Sequence, residues 1–121
     1  MEASICSPAH CKLTMKEEDY LESILNVSEI KGYAKARDVS DDLGVSPSSA
    51  SEMFVKLSKK GLIVHRKYEG VTLTETGKGV AVQVRFRHDV LVEFLKHIGV
   101  SEDIADKDAC FIEHELHSET I

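Results

Sequence analysis

Residues 43–63 read LGVSPSSASEMFVKLSKKGLI, and the signals within this stretch define two helices joined by a short turn. Gly44 predicts the end of one helix, because glycine readily adopts the left-handed conformation found there. Ser46 followed by Pro47 predicts the start of the next helix, with serine as the N-cap and proline in the first turn. Two helices joined at this spacing predict a helix-turn-helix unit.

Further helical signals precede this unit. Thr14 and Glu17 have the spacing of a capping box, and the apolar residues that follow keep a 3.6-residue period up to a stop at Gly32. A short second helix is predicted over residues 35–43. The helix that begins after the turn is predicted to end at Gly61.

A two-stranded hairpin is predicted directly after the helix-turn-helix unit. The segments LIVHRKY (62–68) and VTLT (71–74) flank Glu69-Gly70, a pair typical of tight turns. A helix-turn-helix followed by a hairpin is a winged helix. The predicted fold is therefore mainly α, of the α+β class: a winged helix-turn-helix followed by a helical element.

Two helices are predicted beyond the hairpin. Thr74 is expected to cap a long helix over residues 75–97, with Gly99 as its stop. Ser101 is expected to cap a final helix over residues 101–117. That last helix would carry a cysteine, a glutamate and a histidine close together.

The composition indicates an ordinary soluble chain of one domain, or of one small domain with an appended helical element. Of the 121 residues, 42% are hydrophobic and 30% are charged, and no apolar stretch is long enough to span a membrane. No signal peptide is visible in MEASICSPAHCK, so a cytoplasmic location is expected. Three cysteines, an odd number, argue against a disulfide framework. Cys6, His10 and Cys11 lack a fourth metal ligand, and residues 1–11 are predicted to be a disordered tail.

Charge is distributed unevenly along the chain. The net charge is −6 overall, but residues 31–90 contain 11 basic and 7 acidic side chains, a net of +4. Residues 1–30 sum to −4 and residues 91–121 to −6. A basic middle between acidic ends is expected of a DNA-contacting module joined to a cation-binding module, although mixed surface charge is also ordinary.

Cys110, Glu113 and His114 are spaced i, i+3 and i+4 within DACFIEHEL, so a helix would project all three from one face. A thiol, a carboxylate and an imidazole suit divalent first-row transition metals. The alternative is a surface helix with one buried cysteine and two solvated polar residues. Two other predicted helices also offer candidate ligands, which favours the metal site. Asp19 and Glu22 lie on the first predicted helix, and His88 lies on the long helix.

The Ser-rich start of the helix after the turn is suited to a DNA groove. Small hydroxyl side chains allow close approach to phosphates or base edges, and lysines farther along would neutralise phosphates. The alternative is a serine cluster that only caps the helix. The candidate DNA-contacting residues are Ser46, Pro47, Ser48, Ser49, Ser51, Glu52, Lys56, Lys60, Arg66 and Lys67.

These stretches together resemble the metal-dependent transcriptional repressors of the diphtheria-toxin-repressor and manganese-transport-regulator family. The resemblance covers residues 12–119 and includes EEDYLESI (17–24), YEGVTLTETGK (68–78) and RHDVLVEFL (87–95). It implies a homodimer whose winged helices bind a palindromic DNA operator once a divalent metal is bound. The implied metal ligands are Asp19, Glu22, His88, Cys110, Glu113 and His114.

The resemblance leaves the identity of the metal open. Asp19 matches manganese-type members, whereas Cys110 matches iron-type members, so Mn²⁺ or Fe²⁺ is expected, with Zn²⁺ and Co²⁺ able to bind in vitro. The ancillary site of iron-type members is not expected, because Val92 and Asp106 stand where it has an acid and a histidine. His88 is instead expected to serve a manganese-type cluster.

We therefore expect a metal-dependent DNA-binding repressor of manganese or iron homeostasis, and no enzyme. Residues 12–78 are expected to form the winged-helix DNA-binding domain, and residues 79–121 a helical metal-binding and dimerisation region that is incomplete at its carboxyl end. The alternatives are a winged-helix protein with a purely structural zinc site and a metal-dependent hydrolase.

Overall fold

The computed structural model describes residues 13–66, 70–117 and 119–121, and it divides them into two compact units. The amino-terminal unit spans residues 13–82 and the carboxy-terminal unit begins at Gln83. The predicted domain boundary after residue 78 lies in the same helix as this division. The predicted tail at residues 1–11 and the candidate Lys67 lie outside the described residues. No described helix is both long enough and apolar enough to cross a membrane.

The first helix, α1, spans Met15–Lys31 and begins with the predicted capping box. Thr14 Oγ1 accepts a hydrogen bond from the Glu17 backbone N–H at 3.1 Å, and Glu17 Oε1 accepts one from the Thr14 N–H at 2.9 Å. These bonds satisfy backbone donors that the first turn of a helix leaves free. The apolar residues in the middle of α1 are buried: Tyr20, Leu21, Ile24 and Leu25.

The predicted helix-turn-helix is confirmed. Helix α2 spans Ala36–Leu43 and helix α3 spans Pro47–Lys59, and Gly44 between them has a left-handed φ of 72°. Ser46 caps α3, its side chain accepting a hydrogen bond from the Ser49 N–H at 3.1 Å. The inner face of α3 is buried at three residues: Ala50, Phe54 and Leu57.

The predicted hairpin is also confirmed. Strand β1, Ile63–Arg66, pairs antiparallel with β2, Gly70–Leu73, so that Ile63 lies opposite Leu73. Ala34 adds a bridge to β2, exchanging backbone hydrogen bonds of 2.8 and 2.9 Å with Val71. This bridge ties the hairpin to the segment between α1 and α2. The amino-terminal unit is therefore a winged helix.

Helix α4 spans Glu75–His97, as predicted, and continues from the first unit into the second. Thr74 Oγ1 caps it by accepting a hydrogen bond from the Gly77 N–H at 3.0 Å. The last helix, α5, spans only Glu102–Ile112, so the predicted continuation to residue 117 is wrong. Ser101 occupies the N-cap position of α5, but in the described structure its side chain makes no capping hydrogen bond.

Candidate metal centre and nucleic-acid interface

Three predicted ligands come together within the carboxy-terminal unit. His88 is on α4, Cys110 is in the last turn of α5, and Glu113 is the C-cap of α5. One nitrogen, one sulfur and one oxygen from these side chains all lie within 4.8 Å of one another. The closest pair is His88 Nδ1 and Glu113 Oε1, at 2.8 Å. Nitrogen, sulfur and oxygen donors at this separation match the requirements of a divalent transition metal.

The Glu113 carboxylate is the most buried of these groups, with 1% of its surface exposed. Its Oε1 contacts His88, but Oε2 has no hydrogen-bond partner among the described atoms, although His114 Nε2 lies 3.2 Å away. A buried charged oxygen without a hydrogen bond costs free energy unless a cation or a donor satisfies it. The Glu113 carboxylate is therefore better suited to the role of a metal ligand than to a purely structural role in packing.

Asp106 contacts the other ring nitrogen of His88. Its Oδ1 lies 2.8 Å from His88 Nε2, while Nδ1 faces Glu113. Metal-binding histidines commonly donate their second ring N–H to a carboxylate, which orients the ring and directs the other nitrogen toward the metal. Asp106 can play this part for His88. Sequence reasoning treated Asp106 only as a mismatch, although its i, i+4 spacing from Cys110 places the two residues on one face of α5.

Arg87, which sequence reasoning also missed, holds the segment that follows α5. Its Nε donates to the Glu113 carbonyl at 2.9 Å, and its Nη2 donates to the Leu116 carbonyl. These carbonyls are thus satisfied by a side chain of α4 and not by a continuing helix. Arg87 thereby holds the turn after Ile112, in which Glu113 and His114 lie.

The remaining candidate ligands are placed as follows. His114 is next to Glu113 in the turn, and only 4% of its side chain is exposed. Asp19 and Glu22 lie about one helical turn apart on α1, in the amino-terminal unit, and both are half-buried. Cys110 is exposed and forms no disulfide within the described part of the chain.

The candidate DNA-contacting face lies on α3 and the hairpin. The serines at the start of α3 are exposed, as is Glu52. The Ser46 hydroxyl is already hydrogen-bonded within the first turn of α3. It accepts from the Ser49 backbone N–H at 3.1 Å and donates to the Ser49 hydroxyl at 2.9 Å. Arg66 on β1 is exposed and donates from Nε to Thr72 Oγ1 at 3.3 Å.

Lys56 and Lys60, near the end of α3, both contact Glu17 of α1. Lys60 Nζ donates to Glu17 Oε2 at 2.8 Å, and Lys56 Nζ lies 3.6 Å from the same oxygen. The Glu17 side chain is fully buried, whereas the lysine side chains are 38% and 56% exposed. The sequence indicated the capping role of Glu17 but not this pairing.

Two family models match nearly the whole described chain. Residues 12–71 match the N-terminal DNA-binding domain of the iron-dependent repressors, and residues 74–121 match their metal-binding and dimerisation domain. A similar protein is the HTH-type transcriptional regulator MntR of Geobacillus kaustophilus (strain HTA426). It is 42% identical over 103 residues, which cover 85% of this chain and 73% of that protein.

Two solved structures with a similar fold are manganese regulators. The manganese regulator SloR superposes with a TM-score of 0.75 at 27% identity, covering 88% of this chain and 50% of that one. A manganese-dependent transcriptional repressor in complex with manganese superposes with a TM-score of 0.73 at 30% identity, covering 85% of this chain and 48% of that one. The chain thus spans about half the length of each of these two structures.

Proposed function

The chain belongs to the iron-dependent repressor family, and from this premise we propose that manganese or ferrous iron is the ion that promotes its binding to a palindromic operator. As a family member it is a metal-dependent, DNA-binding transcriptional repressor with a dimerisation domain. The hydrolase alternative is excluded, because the family consists of repressors and not of enzymes. One observation carries the proposal: the His88, Cys110 and Glu113 cluster, in which a buried carboxylate oxygen has no hydrogen bond among the described atoms.

The proposed ligands are the three side chains of this cluster together with His114, which adjoins it. From the family resemblance alone, Asp19 and Glu22 of α1 are proposed as further ligands. A bound cation supplies positive charge that offsets the repulsion and burial cost of the carboxylates. Asp106 orients His88, and Arg87 holds the turn that carries Glu113 and His114. Cys110 coordinates as a thiolate, so metal uptake releases a proton when the thiol is protonated beforehand.

The choice between manganese and iron depends on the mixture of hard and soft donors. Carboxylates favour Mn²⁺ and Fe²⁺, whereas the Cys110 thiolate favours softer ions. The manganese regulators among the similar structures support Mn²⁺ as the first candidate. Co²⁺ and Zn²⁺ are expected to bind in vitro as well, because affinity for such a site generally rises toward the end of the series.

For DNA, we propose that the start of α3 enters the major groove. The exposed serine and Glu52 side chains would face phosphates or base edges, since helix N-termini and small hydroxyls suit both. Lys56, Lys60 and Arg66 would neutralise backbone phosphates. The proposed contacts are the residues named from the sequence: Ser46, Pro47, Ser48, Ser49, Ser51, Glu52, Lys56, Lys60, Arg66 and Lys67.

Substitution of Glu113 tests the proposed metal site. Glu113→Gln preserves the shape of the side chain but removes the buried charge, and we expect Mn²⁺ affinity to fall at least tenfold, by analogy with the loss of an outer-shell metal-site partner. The operator would first be selected from random duplexes with Mn²⁺ present, and a palindromic consensus is expected. Calorimetric Mn²⁺ titration and fluorescence anisotropy on that operator then measure the two affinities.

Glu115→Gln is the matched control, because Glu115 is exposed, lies two positions away and loses the same charge. It should retain metal affinity and metal-dependent operator binding. Undiminished Mn²⁺ affinity in a folded Glu113→Gln variant would refute the site. Asp19→Asn and Glu22→Gln, measured in the same way, test the ligands proposed on α1 separately from the cluster.

A further inference from the structure

The Glu17 carboxylate carries a negative charge that its capping role does not require. Oε1 alone accepts the Thr14 N–H, and a glutamine at the same position would cap the helix equally well. The second oxygen, Oε2, is fully buried beneath Lys60 at 2.8 Å and Lys56 at 3.6 Å. Lys56 lies on α3, the helix placed on DNA in the proposed function, and Lys60 is the C-cap of that helix.

The contacts keep this carboxylate ionised. Both ammonium groups lie within ion-pair distance of Oε2, and opposite charges this close favour the ionised form of a carboxylate. At neutral pH the three side chains therefore carry two positive charges and one negative charge. The sum of these three charges is +1, although Lys56 and Lys60 by themselves carry +2.

We propose that Glu17 is a specificity-determining residue of the DNA-binding surface, because its charge cancels one lysine charge of α3 and so limits sequence-independent attraction to DNA. Non-specific binding depends almost entirely on phosphate neutralisation, whereas operator binding also uses base contacts. A lysine that is already paired with a carboxylate neutralises less phosphate charge, so its binding releases fewer counterions from the DNA. The proposal rests on the placement of α3 on DNA described above.

The salt dependence of binding measures this charge directly. Each neutralised phosphate contributes about −0.9 to the slope of log affinity against log salt concentration on duplex DNA. Glu17→Gln keeps the cap and raises the sum of charges to +2. We therefore expect its slope on a non-operator duplex to be steeper than that of the unsubstituted protein by about one unit. Its operator-to-non-operator affinity ratio should fall.

The experiment compares matched variants by fluorescence anisotropy at saturating Mn²⁺ over a range of salt concentrations. Glu17→Gln/Lys60→Gln restores the sum of +1 and should restore the native slope. Glu75→Gln makes the same change of charge at an exposed position at the start of α4 and should leave the slope unchanged. Thermal unfolding of each variant separates loss of stability, which any structural role predicts, from a change of slope.

A folded Glu17→Gln protein with the native slope and the native affinity ratio would overturn the proposal. If that variant does not fold, Lys60→Gln is compared with Glu17→Gln/Lys60→Gln, and the double variant should again be steeper by about one unit. Lys56→Gln tests the underlying placement. A slope unaffected by Lys56→Gln would contradict the placement of α3 on DNA, whereas an effect of Lys56→Gln without an effect of Glu17→Gln contradicts only the role of Glu17.

Discussion

Glu113 shows how much of the candidate metal centre depends on one residue. Its carboxylate contacts His88 through one oxygen and leaves the other without a hydrogen bond among the described atoms, while its backbone carbonyl accepts from Arg87. Glu113 thus presents its side chain to the candidate centre while Arg87 of α4 holds its backbone. A metal ligand at the end of a helix needs such support, since the last turn otherwise frays.

Cys110 is the residue that should set the metal preference. Cys110→Glu replaces a soft thiolate by a hard carboxylate beside Glu113 and His88. We expect the variant to respond to lower Mn²⁺ concentrations than the unsubstituted protein, and to higher concentrations of Co²⁺ and Zn²⁺. Operator binding titrated with each ion measures the ranking.

Cys110→Ala is the control for this prediction, because it removes the thiolate without adding an acid. It should weaken the response to every ion, and to Co²⁺ and Zn²⁺ most, without the gain in Mn²⁺ response expected of Cys110→Glu. An unchanged ranking in Cys110→Glu would place Cys110 outside the coordination shell and leave Glu113 and His114 as the ligands of this segment.

At the scale of elements, the start of α4 packs closely against Leu62, the residue that precedes β1. A Cβ atom added to Gly77 would lie 2.0 Å from the Leu62 carbonyl oxygen, which also accepts a hydrogen bond from the Thr74 N–H at 3.0 Å. A Cβ added to Gly79, in the same helix turn, would have no described atom within 4 Å apart from its chain neighbours and the backbone of its own helix. The two glycine positions therefore differ in the space available for a side chain.

Alanine substitutions should separate these two positions. Gly77→Ala forces the helix away from Leu62, and we expect it to reduce the free energy of unfolding by about 1–3 kcal/mol, the usual cost of overpacking. Gly79→Ala should be neutral or stabilising by up to about 1 kcal/mol, because alanine favours helix where space is open. Urea unfolding measures both. Equal effects at the two positions would contradict the close packing at Gly77.

At the scale of the whole molecule, the family function couples two kinds of ligand, an ion and a DNA duplex. The charge along the chain is divided in a similar way. Residues 31–90, which include the proposed DNA-contacting residues, are net positive, and residues 91–121, which include Cys110, Glu113 and His114, are the most negative segment. If the ion increases operator affinity by some factor, thermodynamic linkage requires the operator to increase ion affinity by the same factor. This holds whatever the structural route of the coupling.

We expect the Kd for Mn²⁺ to fall on saturation with operator by the factor by which Mn²⁺ lowers the Kd for the operator. Coupling of this kind usually amounts to about 5–150-fold. Calorimetric Mn²⁺ titrations of the free protein and of its operator complex measure one side, and anisotropy with and without Mn²⁺ measures the other. A Kd for Mn²⁺ that is insensitive to operator would show that the ion does not act through this equilibrium.

Most of the fold could be predicted from the sequence, because its signals act over three or four residues. The Thr14–Glu17 box, the Gly44 turn and the Ser46 cap each satisfy backbone groups within their own helix ends, so they operate before any tertiary packing is specified. The spacing of Cys110 and Glu113 likewise placed two candidate ligands on one short segment, and His88 was a further candidate on another predicted helix.

Only the tertiary structure decided where α5 ends and how Glu17 is used. Arg87 reaches the carbonyls of residues 113 and 116 from another helix, and Lys60 reaches Glu17 across 43 positions of sequence. Contacts of this kind depend on how helices pack, which no local spacing encodes. The contact between Asp106 and His88 was missed for the same reason, since it depends on the packing that brings the His88 nitrogen on α4 within 2.8 Å of the carboxylate.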